Sequence, residues 1–347
     1  MRFDDSRKLS IFVSNTDLSC NKNYFCDYFW IQNGILKDSA MRNCSQPTSF
    51  RDLLRSGKTI LAPGAFDALS ARFAARAGFD AVYMTGFGVS GSVLGMPDIG
   101  LMTATEMADR ARAMADATRP AALIADGDNG HGGTLNVERL VRLYEASGVQ
   151  CIQLEDQVFP KRCGHMGSKQ VIDRTEARDK VAAAVDARRS DDFHIIARTD
   201  ARAVEGLDEA VRRGEEFLAA GADLLFIEAP QSLSEMEEIA THFAGHHLVA
   251  NMVEDGKTPY LSVDQLNAMG YVLALYPVSA LLATARLLER VYSIVKENGR
   301  LPHEIPRMSF SEYNTAIGLD DLLPTAIDDG AEPVARKIIS DSLRQNG

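Results

Sequence analysis

Lys161-Arg162-Cys163-Gly164-His165 places two cations, a thiol and an imidazole within five residues, shortly after an apolar run, Cys151 to Leu154, that ends in the acidic pair Glu155-Asp156. Positive neighbours favour a thiolate over a thiol, so Cys163 is a candidate acid or base at neutral pH. His165 would orient the segment and tune the sulfur. Lys161 and Arg162 would either be solvated or close over an anion and exclude water. Taken alone, the segment is equally a solvated basic loop with an incidental cysteine. The elements that position it decide.

From Thr59 onward a rhythm appears: a short apolar segment ends in a polar residue or Pro/Gly, then a longer stretch follows with helical spacing. The spacing predicts eight strands: 60–62, 81–84, 121–125, 151–154, 194–197, 224–227, 248–250 and 272–275. The intervening helices are expected at 66–77, 104–117, 137–146, 175–187, 207–220, 233–243, 263–269 and 280–297. Gly78, Gly148, Gly221, Gly245 and Gly270 fall where a chain leaves a helix in the left-handed conformation. Eight such units over roughly 240 residues match a closed (β/α)8 barrel better than a doubly wound sheet. The barrel is therefore assigned to residues 49–300, preceded by an aperiodic, poorly ordered extension, 1–48, and followed by a helical extension, 301–347, with helices expected near 310–317 and 333–345.

In a β/α barrel the chemistry sits just past the carboxyl ends of the strands. Those positions hold Thr85 and Gly86, Asp126 and Asp128, Glu155, Arg198 with Asp200, Glu228, Asn251, and Tyr276 with Pro277. Asp126-Gly127-Asp128 puts two acids on one strand end, and Glu155 on the next completes an oxygen-rich set suited to Mg2+. The alternative use of these acids is to cap the helix expected at Val137. Arg198 offers a fork of donors for a carboxylate, and can also pair with Asp200 or Glu228. Cys151 is expected in the core, and His131 is expected to be a hydrogen-bonding partner only.

Composition limits the partners. At 347 residues and 46% hydrophobic the chain can bury a large core, and it has no apolar run long enough to cross a bilayer. A net charge of −11 disfavours nucleic acid and anionic lipid, so an anionic substrate must be drawn in locally. Five irregularly spaced cysteines suit reduced thiols, and Met1 to Ser10 lacks the apolar segment of a secretory signal, so a cytoplasmic protein is expected.

Met84-Thr85-Gly86-Phe87-Gly88-Val89-Ser90, Leu94-Gly95-Met96-Pro97-Asp98, Asp126-Gly127-Asp128, Glu155-Asp156-Gln157 through His165, Ala197-Arg198-Thr199-Asp200 and Ala250-Asn251-Met252 together resemble the isocitrate lyase and phosphoenolpyruvate mutase superfamily across about residues 50–300. The cysteine loop resembles its carbon–carbon lyase branch, which includes methylisocitrate lyase and 2,3-dimethylmalate lyase, and the related oxaloacetate hydrolase. The resemblance implies a Mg2+-dependent barrel, with Mn2+ as a possible substitute, whose last helix is swapped between subunits of a homotetramer. It implies that Asp126, Asp128 and Glu155, with Asp98 nearby, hold the metal ion. Tyr83 would assist removal of the substrate hydroxyl proton, Cys163 would protonate the departing enolate, and Lys161 and His165 would complete the catalytic set. Thr85, Gly86, Phe87, Arg198, Glu228 and Asn251 would bind a small carboxylate substrate.

Methylisocitrate-cleaving relatives usually carry a threonine two residues after the strand-seven asparagine to hold an extra carboxylate, and this chain has Val253 there. A buried unpaired carboxylate is costly, so a 2-alkylmalate such as dimethylmalate is expected ahead of methylisocitrate. Asn129 and His131 also depart from residues common in relatives. An oxaloacetate hydrolase, a phosphonomutase and a noncatalytic binding barrel are the competing readings.

Overall fold

Short segments that are apolar at successive positions, and not only at alternate ones, require a strand covered on both faces, as in a parallel barrel. The computed structural model describes residues 48–161 and 169–319, and in it the segments form this arrangement. The strands are β1 (Ile60–Ala65), β2 (Ala81–Met84), β3 (Ala122–Asp126), β4 (Cys151–Glu155), β5 (His194–Thr199), β6 (Leu224–Ile227), β7 (His247–Asn251) and β8 (Tyr271–Tyr276). They pair in parallel in chain order, and β1 returns to β8 through Ile60 opposite Leu273 to close the barrel.

One set of side chains fills the interior: Ile60 and Ala62, Ala81 and Tyr83, Ala122 and Ile124, Cys151, Ile196, Leu224 and Phe226, Val249, Leu273 and Leu275. Cys151 is thus a core residue, as its apolar run predicts. Helix α1 (Phe50–Arg55) adds Phe50 beneath this set, its ring edge-on to His194 at 5.3 Å. The opposite faces of the strands pack on the outer helices. Leu123, Ala125 and Ile152 meet Met107, Ala111 and Met114 of α4 (Ala104–Thr118) and Leu140 and Val141 of α5 (Thr134–Ala146). Leu225 and Leu248 meet Val181 of α6 (Arg174–Ala187), Phe217 of α8 (Leu207–Ala219) and Ile239 of α9 (Leu233–His242). Each such fully buried aliphatic or aromatic side chain stabilises the fold by about 1.5–3 kcal/mol relative to exposure.

The remaining helices are α2 (Ala68–Arg76), α3 (Gly86–Leu94), α7 (Ala201–Val204), α10 (Val263–Met269), α11 (Ser279–Asn298) and α12 (Phe310–Ala316). Reciprocal capping boxes start α2 at Asp67 and Ser70, α4 at Thr103 and Glu106, and α10 at Ser262 and Gln265. The five glycines expected at helix exits have φ between 86° and 96°. Gly64 has a different duty: a Cβ there would lie 2.1 Å from the carbonyl oxygen of Pro277, so only glycine lets β1 pass the end of β8.

Three helices were not expected. Of these α3 matters most, because Thr85 and Gly86 open it where a loop was anticipated. The tail helix expected at 310–317 is α12, whereas that expected near 333–345 and the 1–48 extension lie, apart from Thr48, outside the described residues. Among the described residues no helix is long and apolar enough to cross a membrane. None of the twenty residues of α11 is buried.

Candidate active site at the carboxyl ends of the strands

The two-residue alternation that fills the barrel also builds the site. The inward series continues from Ile124 to Asp126, from Cys151 through Gln153 to Glu155, from Ile196 to Arg198, from Phe226 to Glu228 and from Val249 to Asn251. Packing in the middle of the barrel thus sets where each functional group points at its mouth. One pocket there is lined by Tyr83, Thr85, Phe87, Asp98, Asp126, Glu155, Lys161, Phe226, Glu228, Asn251 and Val253, with Leu275, Pro277 and Val278. Thr85, Asp126, Glu155, Glu228, Asn251 and Pro277, predicted from strand ends on opposite sides of the barrel, therefore share one cavity, and Arg198 meets its wall at Glu155 and Phe226.

Its acidic side is compact. Asp128 donates its backbone N–H to Asp126 Oδ1 at 3.0 Å, and Gly86, at the first position of α3, donates its own to Asp126 Oδ2 at 3.2 Å. A Cβ on Gly86 would lie 2.7 Å from Asp126 Oδ2. Helix capping does not explain these acids, because Gly133 occupies the N-cap of α5. Burial, aided by the Asp128 charge, raises the pKa of Asp126, and burial, aided by Asp200 and Asp126, drives Glu155 well above the carboxylate range despite Arg198 and Lys161. Asp98 is pushed up to about 6 by burial, against the pull of Lys161.

Lys161 is the cation the fold supplies here. It is 3% exposed, and its Nζ lies 2.6 Å from Asp98 Oδ2 and 2.5 Å from Asp128 Oδ1. Burial opposes its charge, but Asp128, Asp126, Glu155 and Asp98 together outweigh burial and hold its pKa well above the ordinary lysine value. Of the two readings of Lys161, the solvated one does not hold. Among the described residues no three His, Cys, Asp or Glu side chains are grouped as a metal site, and the Lys161 ammonium bridges two of the acids. The donor chemistry still fits a hard divalent ion. Asp98, Asp126, Asp128 and Glu155 are all buried, Lys161 and Arg198 are in contact with them, and among the described residues Glu155 Oε1 is buried without a hydrogen-bond partner.

The opposite side suits an anion. Arg198 contacts Glu155 Oε2 at 3.3 Å, stands 5.3 Å from the Phe226 ring centroid, and donates to Asp200 through Nε and Nη2. Both readings of Arg198, carboxylate holder and structural partner of Asp200, are compatible with this geometry. Asn251 Nδ2 donates to both oxygens of Glu228, at 3.4 and 3.3 Å. Glu228, expected to bind substrate, lines the pocket and accepts from the amide beside it. Tyr83 is buried and its pKa is raised well above that of free tyrosine by burial and by Asp126. It keeps its proton through the neutral range and lines the pocket.

Cys163 and His165 lie outside the described residues, as does Arg162; Lys161, immediately before them, is in the pocket wall. Sequence reasoning missed Lys169 and Arg213 and gave Asp156 no role. Asp156 accepts from the Thr199 hydroxyl, the Asp200 N–H and Arg213 Nη1, and burial followed by Asp200 raises it to about 6. The pairing of Asp156 with an arginine 57 residues away left no local signal.

A family model described as phosphoenolpyruvate phosphomutase matches residues 50–295. The chain is 45% identical over 273 residues to 2,3-dimethylmalate lyase of Eubacterium barkeri, covering 78% of this chain and 94% of that protein. A crystal structure of 2,3-dimethylmalate lyase superposes with a TM-score of 0.76 at 35% identity, covering 82% of this chain and 97% of the other. Phosphonopyruvate hydrolase, crystallised with oxalate and Mg2+, superposes with a TM-score of 0.71 at 29% identity over 80% and 97% of the two chains. With its closed barrel, its acids on β3 and β4 and these matches, the chain belongs to the phosphoenolpyruvate mutase and isocitrate lyase superfamily.

Proposed function

We propose that this protein is a Mg2+-dependent carbon–carbon lyase that cleaves a 2-alkylmalate, with 2,3-dimethylmalate the leading candidate, to a 2-oxo acid and a carboxylate. The observation that carries the substrate choice is the position of Val253. It lines the pocket two residues past Asn251, in a wall with Phe226, Leu275, Pro277 and Val278. An alkyl group suits that wall. The extra carboxylate of methylisocitrate would face Val253 without a donor, and an unsatisfied buried polar group costs about 1–3 kcal/mol, more if charged. The 45% identity to a 2,3-dimethylmalate lyase agrees with this choice.

Asp126, Asp128, Glu155 and Asp98 would hold Mg2+. Bound there, Mg2+ would supply Lewis-acid stabilisation of the oxygens on which negative charge builds. Arg198 and the Asn251 amide hold the substrate's carboxylate, and the α3 amino terminus at Gly86 offers further N–H donors. The Tyr83 phenol hydrogen-bonds to the substrate hydroxyl oxygen and relays the hydroxyl proton outward to solvent as C2–C3 breaks, leaving the carbonyl of the 2-oxo acid. Cys163 delivers a proton to the enolate carbon once C2–C3 has broken. Phe226 and Leu275 keep water from that carbon.

The catalytic domain in this reading is residues 49–300, flanked by the 1–48 and 301–347 extensions. A cytoplasmic homo-oligomer, most simply a tetramer, fits the unburied α11, whose apolar residues need a second copy to cover them.

The test is direct. Protein and Mg2+ are incubated with 2,3-dimethylmalate, other 2-alkylmalates, methylisocitrate and oxaloacetate, and products are identified by mass spectrometry. Pyruvate-type and carboxylate products from a 2-alkylmalate support the proposal; oxalate and acetate from oxaloacetate alone would make the protein a hydrolase. Cys163→Ser should lower kcat at least 100-fold and leave product binding within about threefold. Full activity in that variant removes the proposed acid.

A further inference from the structure

Asp200 carries two cations. Lys169 Nζ donates to Asp200 Oδ1 at 2.6 Å, while Arg198 reaches Oδ2 through Nε at 3.0 Å and Oδ1 through Nη2 at 3.2 Å. The carboxylate is fully buried and the Lys169 side chain is 2% exposed. Asp200 is fixed from behind, its N–H donating to Asp156 Oδ1 at 2.9 Å. Despite its burial, Arg198 and then Lys169 hold its pKa down to about 2.

Charge counting gives this arrangement a consequence. One carboxylate cancels one cation. An Arg198–Asp200 pair alone would be neutral and would offer a weak field to an incoming anion in a site that already holds four acids. With Lys169 on the same carboxylate, the trio keeps one positive charge, and Arg198 is the member beside the pocket wall at Glu155 and Phe226. We infer that Lys169 is a positioning residue that acts through Asp200, offsetting its charge so that Arg198 keeps its own for a dianionic carboxylate ligand. The inference rests on the proposed role of Arg198 as carboxylate holder.

Oxalate is the probe, titrated calorimetrically into the full chain with saturating Mg2+, and Mg2+ alone is titrated in parallel. Lys169→Met should weaken oxalate at least tenfold and leave Mg2+ affinity within threefold. Lys169→Arg, which retains the charge, should restore oxalate to within threefold of wild type. The double variant Lys169→Met with Asp200→Asn should also bind within threefold of wild type, because the charge on Arg198 is again uncancelled and Asn retains an acceptor to orient it. A purely structural lysine predicts the reverse, with the double variant the weakest of all. Unchanged oxalate binding in Lys169→Met, or a parallel loss of Mg2+, overturns the inference. If Lys169→Met does not fold, a loss beyond tenfold in the double variant overturns it equally. Failure of the wild-type protein to bind oxalate with Mg2+ would instead remove the carboxylate-holding role of Arg198 on which the inference stands.

Discussion

Val253 belongs to the apolar side of the pocket with Phe226, Leu275, Pro277 and Val278, and the proposed substrate choice turns on it. Val253→Thr changes its shape little but adds a hydroxyl that must find a partner. In a pocket occupied by an alkyl group it finds none, so kcat/KM for 2,3-dimethylmalate should fall about tenfold, while methylisocitrate, whose added carboxylate accepts that hydroxyl, should gain. Steady-state kinetics with both substrates checks this, and equal losses on both would show that Val253 does not read the substrate. Residues of this kind were legible because they sit at fixed steps along a strand: Asp126, Glu155, Arg198 and Asn251 each extend an inward alternation that the apolar residues before them announce. Lys161 was noticed for its neighbours, yet its burial between Asp98 and Asp128 was not foreseen. Lys169 gave no sign at all, since its partner is 31 residues away and Lys169 itself belongs to no periodic pattern.

At the scale of elements, the strands were readable because a parallel barrel needs near-continuous apolar runs, and the long helices because 3.6-residue spacing and terminal glycines mark them. Helix α3 escaped because Gly86, Gly88 and Gly91 lower helix propensity. Tertiary packing explains two of these glycines: a Cβ at Gly88 would lie 2.7 Å from the Phe66 Cβ, and one at Gly86 would strike Asp126. The helix is therefore built for close approach at the cost of intrinsic stability. Gly86→Ala should push the Asp126 carboxylate away from the α3 amino terminus and weaken Mg2+ about 10- to 100-fold, the range seen when groups that orient a ligand are altered. Calorimetric titration of Mg2+ reads the effect, and retained affinity would mean that Asp126 does not need that contact.

For the whole molecule, α11 is the element the chain leaves unfinished. Leu288, Tyr292 and Val295 fall at i, i+4 and i+7, a single stripe, and are 45%, 67% and 37% exposed. Exposed apolar stripes of this kind mark association surfaces. Leu288→Lys combined with Tyr292→Lys should reduce the mass measured by light scattering to a smaller species, with the barrel's circular dichroism retained; an unchanged mass would place the subunit contact elsewhere.

Stability against pH follows from the same buried acids, and its sign can be worked out. Asp98 and Asp156 are both held at about 6, mainly by burial, against 3.8 when free. Between these values the folded state binds more protons than the unfolded one, so stability falls as pH rises from about 4 to 6 and levels off above. At 1.36 kcal/mol per pH unit, a fully buried acid such as Asp156 contributes a loss of about 3 kcal/mol across that window. Asp200 acts the other way in a different window: held at about 2, it adds stability above pH 4 that is lost as pH falls from about 4 to 2. Urea midpoints of the metal-free protein should therefore rise from pH 2 to 4 and decline from pH 4 to 6. Asp156→Asn should flatten the decline, whatever its effect on absolute stability, because asparagine does not titrate. Saturating Mg2+ should flatten it too, since a divalent ion selects ionised Asp98 and reverses the proton preference of that group. A midpoint that climbs steadily from pH 4 to 7 without metal, in wild type and Asp156→Asn alike, would show that the interior of this site accommodates its charges without strain and has no electrostatic need of a cation.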